Sequence, residues 1–447
     1  MVRASTVLGV SLVVAGTLGA CTTTDESTFN AEEREILSQY QLPAKPPADP
    51  SNRVADDSRA AVLGKQFFFD TRFSGQLGPA NDGVTNGSLG TAGTSGKVSC
   101  YSCHQIENGG SDHRSRPLAT SLGANYGLRN APTVFNVAYT DVANGGWQLW
   151  DGRKDSLWAQ AIGPMEGPNE AAGTRLQFAH TIFDHYRAEY EAIFGTMPDL
   201  SDTTRFPLSG KPGQPAFDNM AAEDKIAINR VHSNLGKAIA AYERRLVSTS
   251  FEPAPFDKML AGDDTAMTPG AVRGARLFIG KAACDECHRG ALFTDGKFHN
   301  IGCPQTGQNV PSIDVGRQNG IATVKKDTFN RNGDFSDLKD SAHLDNLVEQ
   351  PADVGAFKTP SLRNIERTAP YMHDGVYTTM WDVVAHYNFG GGTGSYSGTK
   401  ESAVSPLLLT NQEMDDLVEF LRSLSDGPPL ATDDFPEGLL AAPVLPD

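Results

Sequence analysis

Beyond its first twenty residues, the sequence lacks any hydrophobic run long enough to cross a membrane. It also lacks an excess of positive charge. The 38 lysines and arginines face 54 acidic residues, and the resulting net charge of −16 argues against a nucleic-acid partner. Few segments alternate apolar and polar residues, so no large β-sheet is predicted. The 447 residues, 39% of them hydrophobic, suffice for two or three domains with buried cores.

The first twenty residues have the pattern of an export signal. Arg3 supplies positive charge, and the apolar run VLGVSLVVAGTLGA (7–20) is too short to span a bilayer. The run ends in LGAC, which resembles the bacterial lipoprotein signal, so we expect cleavage after residue 20 and a lipid on Cys21. An ordinary secretory signal cut nearby is the alternative. Because Thr22 is not the aspartate associated with inner-membrane retention, we expect a periplasmic protein anchored to the outer membrane.

Four of the six cysteines fall into two copies of one pattern, Cys100-x-x-Cys103-His104 and Cys284-x-x-Cys287-His288. A redox dithiol needs no histidine after its second cysteine. A structural zinc site is the main alternative, but zinc-binding pairs usually lie much closer together in sequence. In c-type haem attachment, two thiols bond to the vinyl groups of one porphyrin and the adjacent histidine ligates the iron. Two copies behind an export signal therefore predict two covalently bound c-type haems. Cys303 is left over and is predicted to be a buried thiol.

Both halves of the chain show the same order of features: a helix, a haem motif, long loops and further helices. Helical periodicity is found over 56–70, 174–195, 221–249, 268–280, 378–389 and 411–424. Residues 74–97 are rich in glycine, serine, asparagine and threonine and predict a mobile loop. We therefore predict a mostly α protein with two cytochrome-c-like haem domains and long loops. The predicted segments are a signal peptide (1–20), a tether with one short helix (21–55), the two haem domains (56–250 and 251–425) and a disordered tail (426–447).

A chain of motifs between residues 56 and 425 resembles the bacterial di-haem cytochrome c peroxidase family, which includes the methylamine-utilisation, quinone-forming di-haem enzyme. The motifs are GKQFFFDTRFS, CYSCH, RNAPTVFNVAY, WDGR, CDECH, FHNIG and FKTPSLRNIERTAPYMHDG. Any one of them is weak evidence, but together they are specific. The resemblance implies that His104 is the proximal ligand of a peroxide-binding first haem. It implies that His288 is the proximal ligand of an electron-transfer second haem. Trp150 matches the tryptophan that relays electrons between the haems; a buried core tryptophan is the alternative.

The resemblance also implies a catalytic pair and a calcium site. Gln160 and Glu170 match the polar pair over the peroxide-binding haem. A carboxylate there can move a proton from the near to the far oxygen of peroxide, and an amide can hydrogen-bond both oxygens. Without the resemblance, both residues would be assigned to a surface loop. The family's calcium site between the domains is matched by Asn130, Thr368 and Pro370, the proline through its carbonyl oxygen. Turn formation is the alternative for these three.

Two positions depart from the peroxidase pattern. The methionine that is the usual sixth ligand of the second haem is replaced by Tyr387, as in the quinone-forming enzyme, and a tyrosinate oxygen stabilises oxidised iron. His386 could ligate instead, but on a helix the two side chains point about 100° apart. Many family members carry a second histidine after the first haem motif, but SLGANYGLRN contains none. The nearest, His113, is expected to be solvated, so the first haem iron is expected to be open and reductive activation unnecessary.

Three functions fit these residues. In the first, a periplasmic cytochrome c or small copper protein (a cupredoxin) gives electrons to the second haem, and Trp150 passes them to the first haem, where hydrogen peroxide is reduced to water. In the second, peroxide oxidises both haems, which then oxidise tyrosine or tryptophan residues of a partner protein. The third is a plain electron carrier, against which Gln160 and Glu170 argue. We favour the peroxidase; a homodimer is compatible with all three.

Overall fold

The computed structural model describes residues 28–115, 120–140 and 146–447, so the predicted lipidation site at Cys21 lies outside the described residues. The described chain is mostly helical, which confirms the predicted fold class. Its α-helices are α1 (Ala31–Ser38), α2 (Ser58–Phe69), α3 (Cys100–Cys103), α4 (Leu157–Glu166), α5 (Arg175–His185), α6 (Arg187–Phe194), α7 (Pro215–Asp218), α8 (Ala222–Glu243), α9 (Pro255–Leu260), α10 (Pro269–Phe278), α11 (Arg317–Lys326), α12 (Ala342–Asp345), α13 (Met380–Asn388) and α14 (Asn411–Arg422).

Short 3-10 helices and one small antiparallel sheet complete the described secondary structure. The 3-10 helices are Thr71–Phe73, Ile106–Asn108, Val137–Tyr139, Ser248–Ser250, Cys284–Glu286, Pro351–Asp353 and Ile365–Arg367. The sheet pairs β1 (Phe298–His299) with β2 (Phe357–Lys358). Among the described residues we find no helix with the length and hydropathy of a membrane span.

Helices begin where the sequence supplies capping side chains. The Asp57 carboxylate accepts hydrogen bonds from the first backbone amides of α2. Thr268 caps α10, and Pro269 occupies its first position, where a missing amide hydrogen costs nothing. The helix predicted over 174–195 is interrupted at Tyr186, which leaves the helical conformation and separates α5 from α6.

The buried side chains form two main hydrophobic cores, one for each haem motif. In the first core α2 packs along α8, and in the second α10 packs along α14. A glycine lies at each of these two helix crossings. A Cβ atom at Gly64 would overlap the carbonyl oxygen of Ala238, and a Cβ atom at Gly274 would overlap the carbonyl oxygen of Asp416. The absence of a Cβ atom thus allows the paired backbones to touch.

The segment predicted as a tether packs against the second core. It contains one short helix, α1, at the predicted place. However, Phe29, Leu37 and Tyr40 are buried among the second-core side chains, and the Tyr40 ring stacks on Phe293 with ring centroids 4.5 Å apart. Ion pairs of Glu33 with Arg276 and of Arg34 with Asp264 add polar contacts between this segment and the second half.

The predicted disordered tail (426–447) instead packs on the first core, and this expectation is corrected. Phe435 and Leu439 are buried there. The ammonium group of the buried Lys65 side chain lies 2.7 Å from the Glu437 carboxylate. The few apolar residues of this segment therefore pack on the first core, a contact that the mostly polar composition of the segment does not predict.

Candidate active site and haem-binding residues

The first Cys-x-x-Cys-His motif forms a single helical turn. Cys100–Cys103 is α3, and the backbone amide of His104 donates to the Cys100 carbonyl oxygen at 2.9 Å. The Nδ1 atom of His104 lies 3.1 Å from the carbonyl oxygen of Gly110. Because a carbonyl can only accept, Nδ1 carries the proton and Nε2 keeps its lone pair for a metal.

The second motif repeats this arrangement. The backbone amide of His288 donates to the Cys284 carbonyl oxygen at 2.8 Å, and its Nδ1 lies 2.9 Å from the carbonyl oxygen of Phe293. Both histidines are thus held in the same tautomer by the loop that follows the motif. Such a backbone acceptor is the usual support of a metal-ligating imidazole.

The four motif thiols form no disulfide bonds. Burial raises the pKa of Cys100, Cys103 and Cys284 to about 12, so these thiols stay neutral near pH 7. Within the described ranges, the one cluster of side chains with metal-ligand spacing lies elsewhere. The four cysteines therefore do not converge on a shared zinc ion. Two separate thiol pairs, each beside an oriented histidine, fit two covalently attached haems.

Gln160 and Glu170 are presented by one element, α4 and the turn that follows it. Ser156 caps α4 and accepts the backbone hydrogen bond of Gln160 at 3.0 Å. After the helix, the amide of Ala171 donates to the Pro164 carbonyl oxygen, which folds the turn back onto the last helical residues. The residues after α4 therefore form a hydrogen-bonded turn, and the side chains of Gln160 in the helix and Glu170 in the turn are both half-buried.

The Glu170 carboxylate lies in a water-poor position close to the first haem motif. Burial raises its pKa, and the positive charges of Arg153 and Lys154 oppose this only in part. The pKa of the Cys103 thiol is raised mainly by burial, with further contributions from the Asp112 and Glu170 carboxylates. Glu170 thus stands within electrostatic reach of the thiol that would attach the first haem.

Trp150 joins the two halves of the molecule. Its indole Nε1 donates to the carbonyl oxygen of Asn130 at 2.8 Å, and its own carbonyl oxygen accepts the amide of Lys358 at 2.7 Å. Asn130 in turn donates from its side-chain amide to the Pro370 carbonyl oxygen at 2.7 Å. Thr368, two residues before Pro370, donates its hydroxyl to the Ile365 carbonyl oxygen. The structure thus brings Trp150, Asn130 and Pro370 together.

A buried ionic cluster that the sequence analysis missed fixes the same region. The Arg129 guanidinium pairs with Asp151 of the first half and Asp314 of the second, with N–O distances of 2.7 Å in each case. Burial opposes the charge of Arg129, but the two carboxylates together raise its pKa. Arg129 and Asp151 directly adjoin Asn130 and Trp150, so the cluster holds both residues in place. The sequence offered one signal for these two residues: Arg129 precedes Asn130 and Asp151 follows Trp150, and both neighbours stand in motifs already noted.

The α13 helix separates the two candidates for the sixth ligand of the second haem. His386 uses both ring nitrogens: Nδ1 lies 3.0 Å from the hydroxyl of Tyr377 and Nε2 lies 3.1 Å from the carbonyl oxygen of Ile301. The Tyr387 ring lies perpendicular to that of His386, with ring centroids 5.3 Å apart. Burial raises its pKa, and electrostatic interactions with Cys284 and Cys287 add to the shift, which places Tyr387 close to the second motif.

The structure also bears on two further predictions from the sequence, those for His113 and Cys303. His113 is not solvated: it is half-buried, its Nε2 contacts the carbonyl oxygen of Arg367, and its amide donates to the Gln105 side chain at 3.1 Å. Its polar neighbours Asp112 and Ser115 hydrogen-bond each other, while the His113 ring contacts the second half of the chain. Cys303 is buried, as predicted.

The fold and the two haem motifs define a di-haem c-type cytochrome. Comparisons with known proteins specify the class further. Residues 58–265 match the family model described as di-haem cytochrome c peroxidase. The chain is 33% identical to the cytochrome-c peroxidase IdrP2 of Pseudomonas sp. (strain SCT) over 421 residues, which is 94% of each chain. It is 30% identical over 431 residues to the methylamine utilization protein MauG of Methylorubrum extorquens, covering 96% of this chain and 95% of the relative.

A solved structure agrees with these matches. The crystal structure of a MauG-like protein associated with microbial copper homeostasis superposes with a TM-score of 0.56 and 25% identity, covering 90% of this chain and 95% of the other. The chain therefore belongs to the di-haem cytochrome c peroxidase family and is an oxidoreductase of that family.

Proposed function

We propose that the protein reduces hydrogen peroxide to water with electrons from a periplasmic cytochrome c or cupredoxin. Cys100 and Cys103 would attach the first haem and Cys284 and Cys287 the second, with His104 and His288 as their proximal ligands. When bound, the first haem supplies the iron site for peroxide and the second haem receives electrons. The observation that carries the proposal is the half-buried Glu170 carboxylate with a raised pKa beside the first motif, which a plain electron carrier does not need.

Glu170 is assigned the proton transfer. In its ionised form the carboxylate takes a proton from the near oxygen of peroxide and returns it to the far oxygen, which then leaves as water. The raised pKa makes the carboxylate a better base than an exposed glutamate. Gln160, on the same element, donates a hydrogen bond to the peroxide oxygens. Two electrons and two further protons balance the formation of two waters.

Trp150 is assigned the electron relay between the two halves. It is hydrogen-bonded to Asn130 on one side and to Lys358 on the other, so its ring is held at the junction. The same junction is proposed to bind calcium through Asn130, Thr368 and Pro370. The Pro370 carbonyl and the Asn130 amide are already in contact, and turning the amide to present its oxygen would place two hard donors side by side.

The residues before the described chain are proposed to direct the protein to its site of action. Export to the periplasm is required for haem attachment, and lipidation of Cys21 would tether the mature chain to the outer membrane. Oxidised donor proteins could then exchange freely in the same compartment.

A second candidate is peroxide-dependent oxidation of aromatic residues on a partner protein. Tyr387 favours it, because it lies within electrostatic reach of Cys284 and Cys287 and stands where a peroxidase of this family carries methionine. A tyrosinate ligand would stabilise oxidised iron and so suit a haem that stores oxidising power.

Stopped-flow mixing distinguishes the two candidates. The purified di-haem protein is mixed with hydrogen peroxide and an excess of reduced cytochrome c or reduced cupredoxin. The proposal predicts many catalytic cycles of donor oxidation per enzyme, with two electrons consumed per peroxide. Absence of turnover with both donor classes contradicts it. Oxidised tyrosine or tryptophan in a co-expressed partner protein, detected by mass spectrometry, would then establish the second candidate.

A further inference from the structure

Three buried side chains near the junction of the two halves form a cluster that includes no residue of either Cys-x-x-Cys-His motif. The thiol sulfur of Cys303, a ring nitrogen of His373 and a carboxylate oxygen of Asp374 all lie within 4.8 Å of one another. The Cys303 sulfur is 3.6 Å from Asp374 Oδ1. All three residues are at least nine-tenths buried. We refer to these three residues as the Cys303 cluster.

Two buried oxygen atoms at the cluster lack partners. Asp374 Oδ2 and the side-chain oxygen of Gln305 find no hydrogen-bond donor within the described parts of the chain. Asp374 is only 4% exposed, so water does not solvate it freely. A buried oxygen left without a partner costs about 1–3 kcal/mol, more when it is charged. This pair of buried oxygen atoms therefore suits a bound cation.

The cluster is held in a fixed geometry from outside. The His373 ring stacks on Phe357 with ring centroids 3.6 Å apart, and its backbone carbonyl accepts the amide of Asn130 at 2.7 Å. The side-chain amide of Gln305 contacts His373 Nε2. These contacts fix the imidazole next to both the thiol and the carboxylate, so ligand binding would not require the segment to be ordered first.

We propose that the Cys303 cluster binds one zinc ion through the Cys303 sulfur, a His373 ring nitrogen and an Asp374 oxygen. The side-chain oxygen of Gln305 or a water completes a tetrahedral site. A thiolate, an imidazole and a carboxylate together suit zinc, whereas calcium takes oxygen ligands only. Binding replaces the thiol proton, which is released to solvent, and no oxidation is involved. Zinc ligands lie about 2.0–2.3 Å from the metal, so the three donors would close in slightly on binding.

The metal would strengthen the junction that carries the proposed relay. Cys303 and Gln305 follow β1, while His373 and Asp374 follow Pro370, whose carbonyl contacts Asn130. A zinc ion would tie these two loops to each other. The inference is independent of the proposed peroxidase activity, because it depends only on side chains outside the haem motifs.

The test measures zinc content against iron in the intact di-haem protein. After chelation with EDTA and dialysis against zinc chloride, plasma mass spectrometry should give one zinc per two irons. Cys303→Ala and Asp374→Asn should each lose stoichiometric zinc. His185→Ala serves as the matched control, because His185 lies far along the chain beside the Asp447 carbonyl oxygen, and it should retain zinc. Less than stoichiometric zinc in the native chain overturns the proposal, as does binding that survives Cys303→Ala.

Zinc K-edge X-ray absorption supplies a second measurement that needs no variant. The native protein should show one sulfur at about 2.3 Å from zinc. A spectrum with only nitrogen and oxygen neighbours overturns the proposal even if Cys303→Ala fails to fold. In that case the Cys303 cluster is a buried hydrogen-bond network only.

Discussion

The indole nitrogen of Trp150 donates a hydrogen bond to the backbone carbonyl oxygen of Asn130 at 2.8 Å. Asn130 also donates its side-chain amide to the Pro370 carbonyl oxygen and its backbone amide to the His373 carbonyl oxygen, so the Trp150 bond connects Trp150 through Asn130 to the Pro370–His373 segment of the second half. The proposed electron relay and the proposed calcium site therefore share one structural support.

Trp150→Phe is expected to slow electron transfer between the haems while leaving both haems attached. Phenylalanine keeps most of the ring volume but loses the hydrogen bond to Asn130 and the more easily oxidised indole. We expect steady-state turnover with a reduced donor to fall more than about tenfold, which corresponds to about 1.4 kcal/mol in the barrier. The measurement is donor oxidation at saturating peroxide.

Trp147→Phe is the matched control for this variant. Trp147 lies three positions earlier and its ring packs under the Arg317 guanidinium, 4.3 Å from the ring centroid. It is not assigned to the relay, so its loss should change turnover little. Equal effects of the two substitutions would contradict the assignment of Trp150.

Glu170→Gln is expected to slow peroxide cleavage by about 10²- to 10⁴-fold, because the amide cannot accept and return a proton. Rapid mixing with peroxide measures the step directly, and the visible spectrum reports whether haem binding is intact. Glu189→Gln, at an exposed position of α6, is the control. Retained peroxide cleavage in Glu170→Gln would show that another group moves the proton.

The pH dependence of the native protein has a defined sign. Burial raises the pKa of Glu170, and the ionised form is the base. The rate of peroxide cleavage should therefore rise as the pH increases through this raised pKa and then level off. The pH-dependent rise should disappear in Glu170→Gln. A rate that falls with increasing pH over the same range would be inconsistent with Glu170 as the base.

Tyr387→Met is expected to raise the midpoint potential of the second haem, because a thioether stabilises reduced iron. The shift should be on the order of 0.1 V, within the range that axial ligands control. Spectroelectrochemical titration measures it. His386→Gln is the comparison, since its ring nitrogens are occupied by Tyr377 and Ile301. A larger shift from His386→Gln than from Tyr387→Met would reverse the ligand assignment.

Gly274→Ala is expected to destabilise the second core. A methyl group there would overlap the Asp416 carbonyl oxygen, and such overpacking costs about 1–3 kcal/mol, more than the gain in helix propensity. Thermal unfolding of the di-haem protein measures the loss. Gly163→Ala in α4 is the control, because its methyl group would meet only the flexible end of Lys154 at 3.3 Å. Equal melting temperatures for native protein and Gly274→Ala would refute the close backbone crossing.

The sequence predicts those parts of the structure that depend on neighbouring residues. Capping residues such as Thr268 mark where helices begin, and the helix predicted over 378–389 is present as α13. The loop over 74–97 is irregular, as its composition predicts. However, the buried Asn81 side chain ties it to the carbonyl oxygens of Gly123 and Ala124. Composition therefore predicts the irregular backbone of this segment but not the buried contact that anchors it at Asn81.

Contacts between distant residues lie beyond such local patterns. Arg129 and Asp314 are 185 positions apart, and nothing in their surroundings marks them as partners. The buried aromatic residues Phe29 and Phe435 lie in segments whose mostly polar composition predicts exposure to solvent. One aromatic residue does not change that prediction. Only the folded chain shows that each terminal segment covers a core.

The most direct test of the account is the reaction of hydrogen peroxide with the fully oxidised protein in the absence of any reductant. The account assigns no second histidine to the first haem, and the nearest histidine, His113, is held against Arg367. It therefore predicts an immediate change in the haem spectrum at one equivalent of peroxide, as fast as in the half-reduced protein. If the oxidised protein is inert and only the half-reduced protein reacts, the first iron is capped at rest and the account is contradicted.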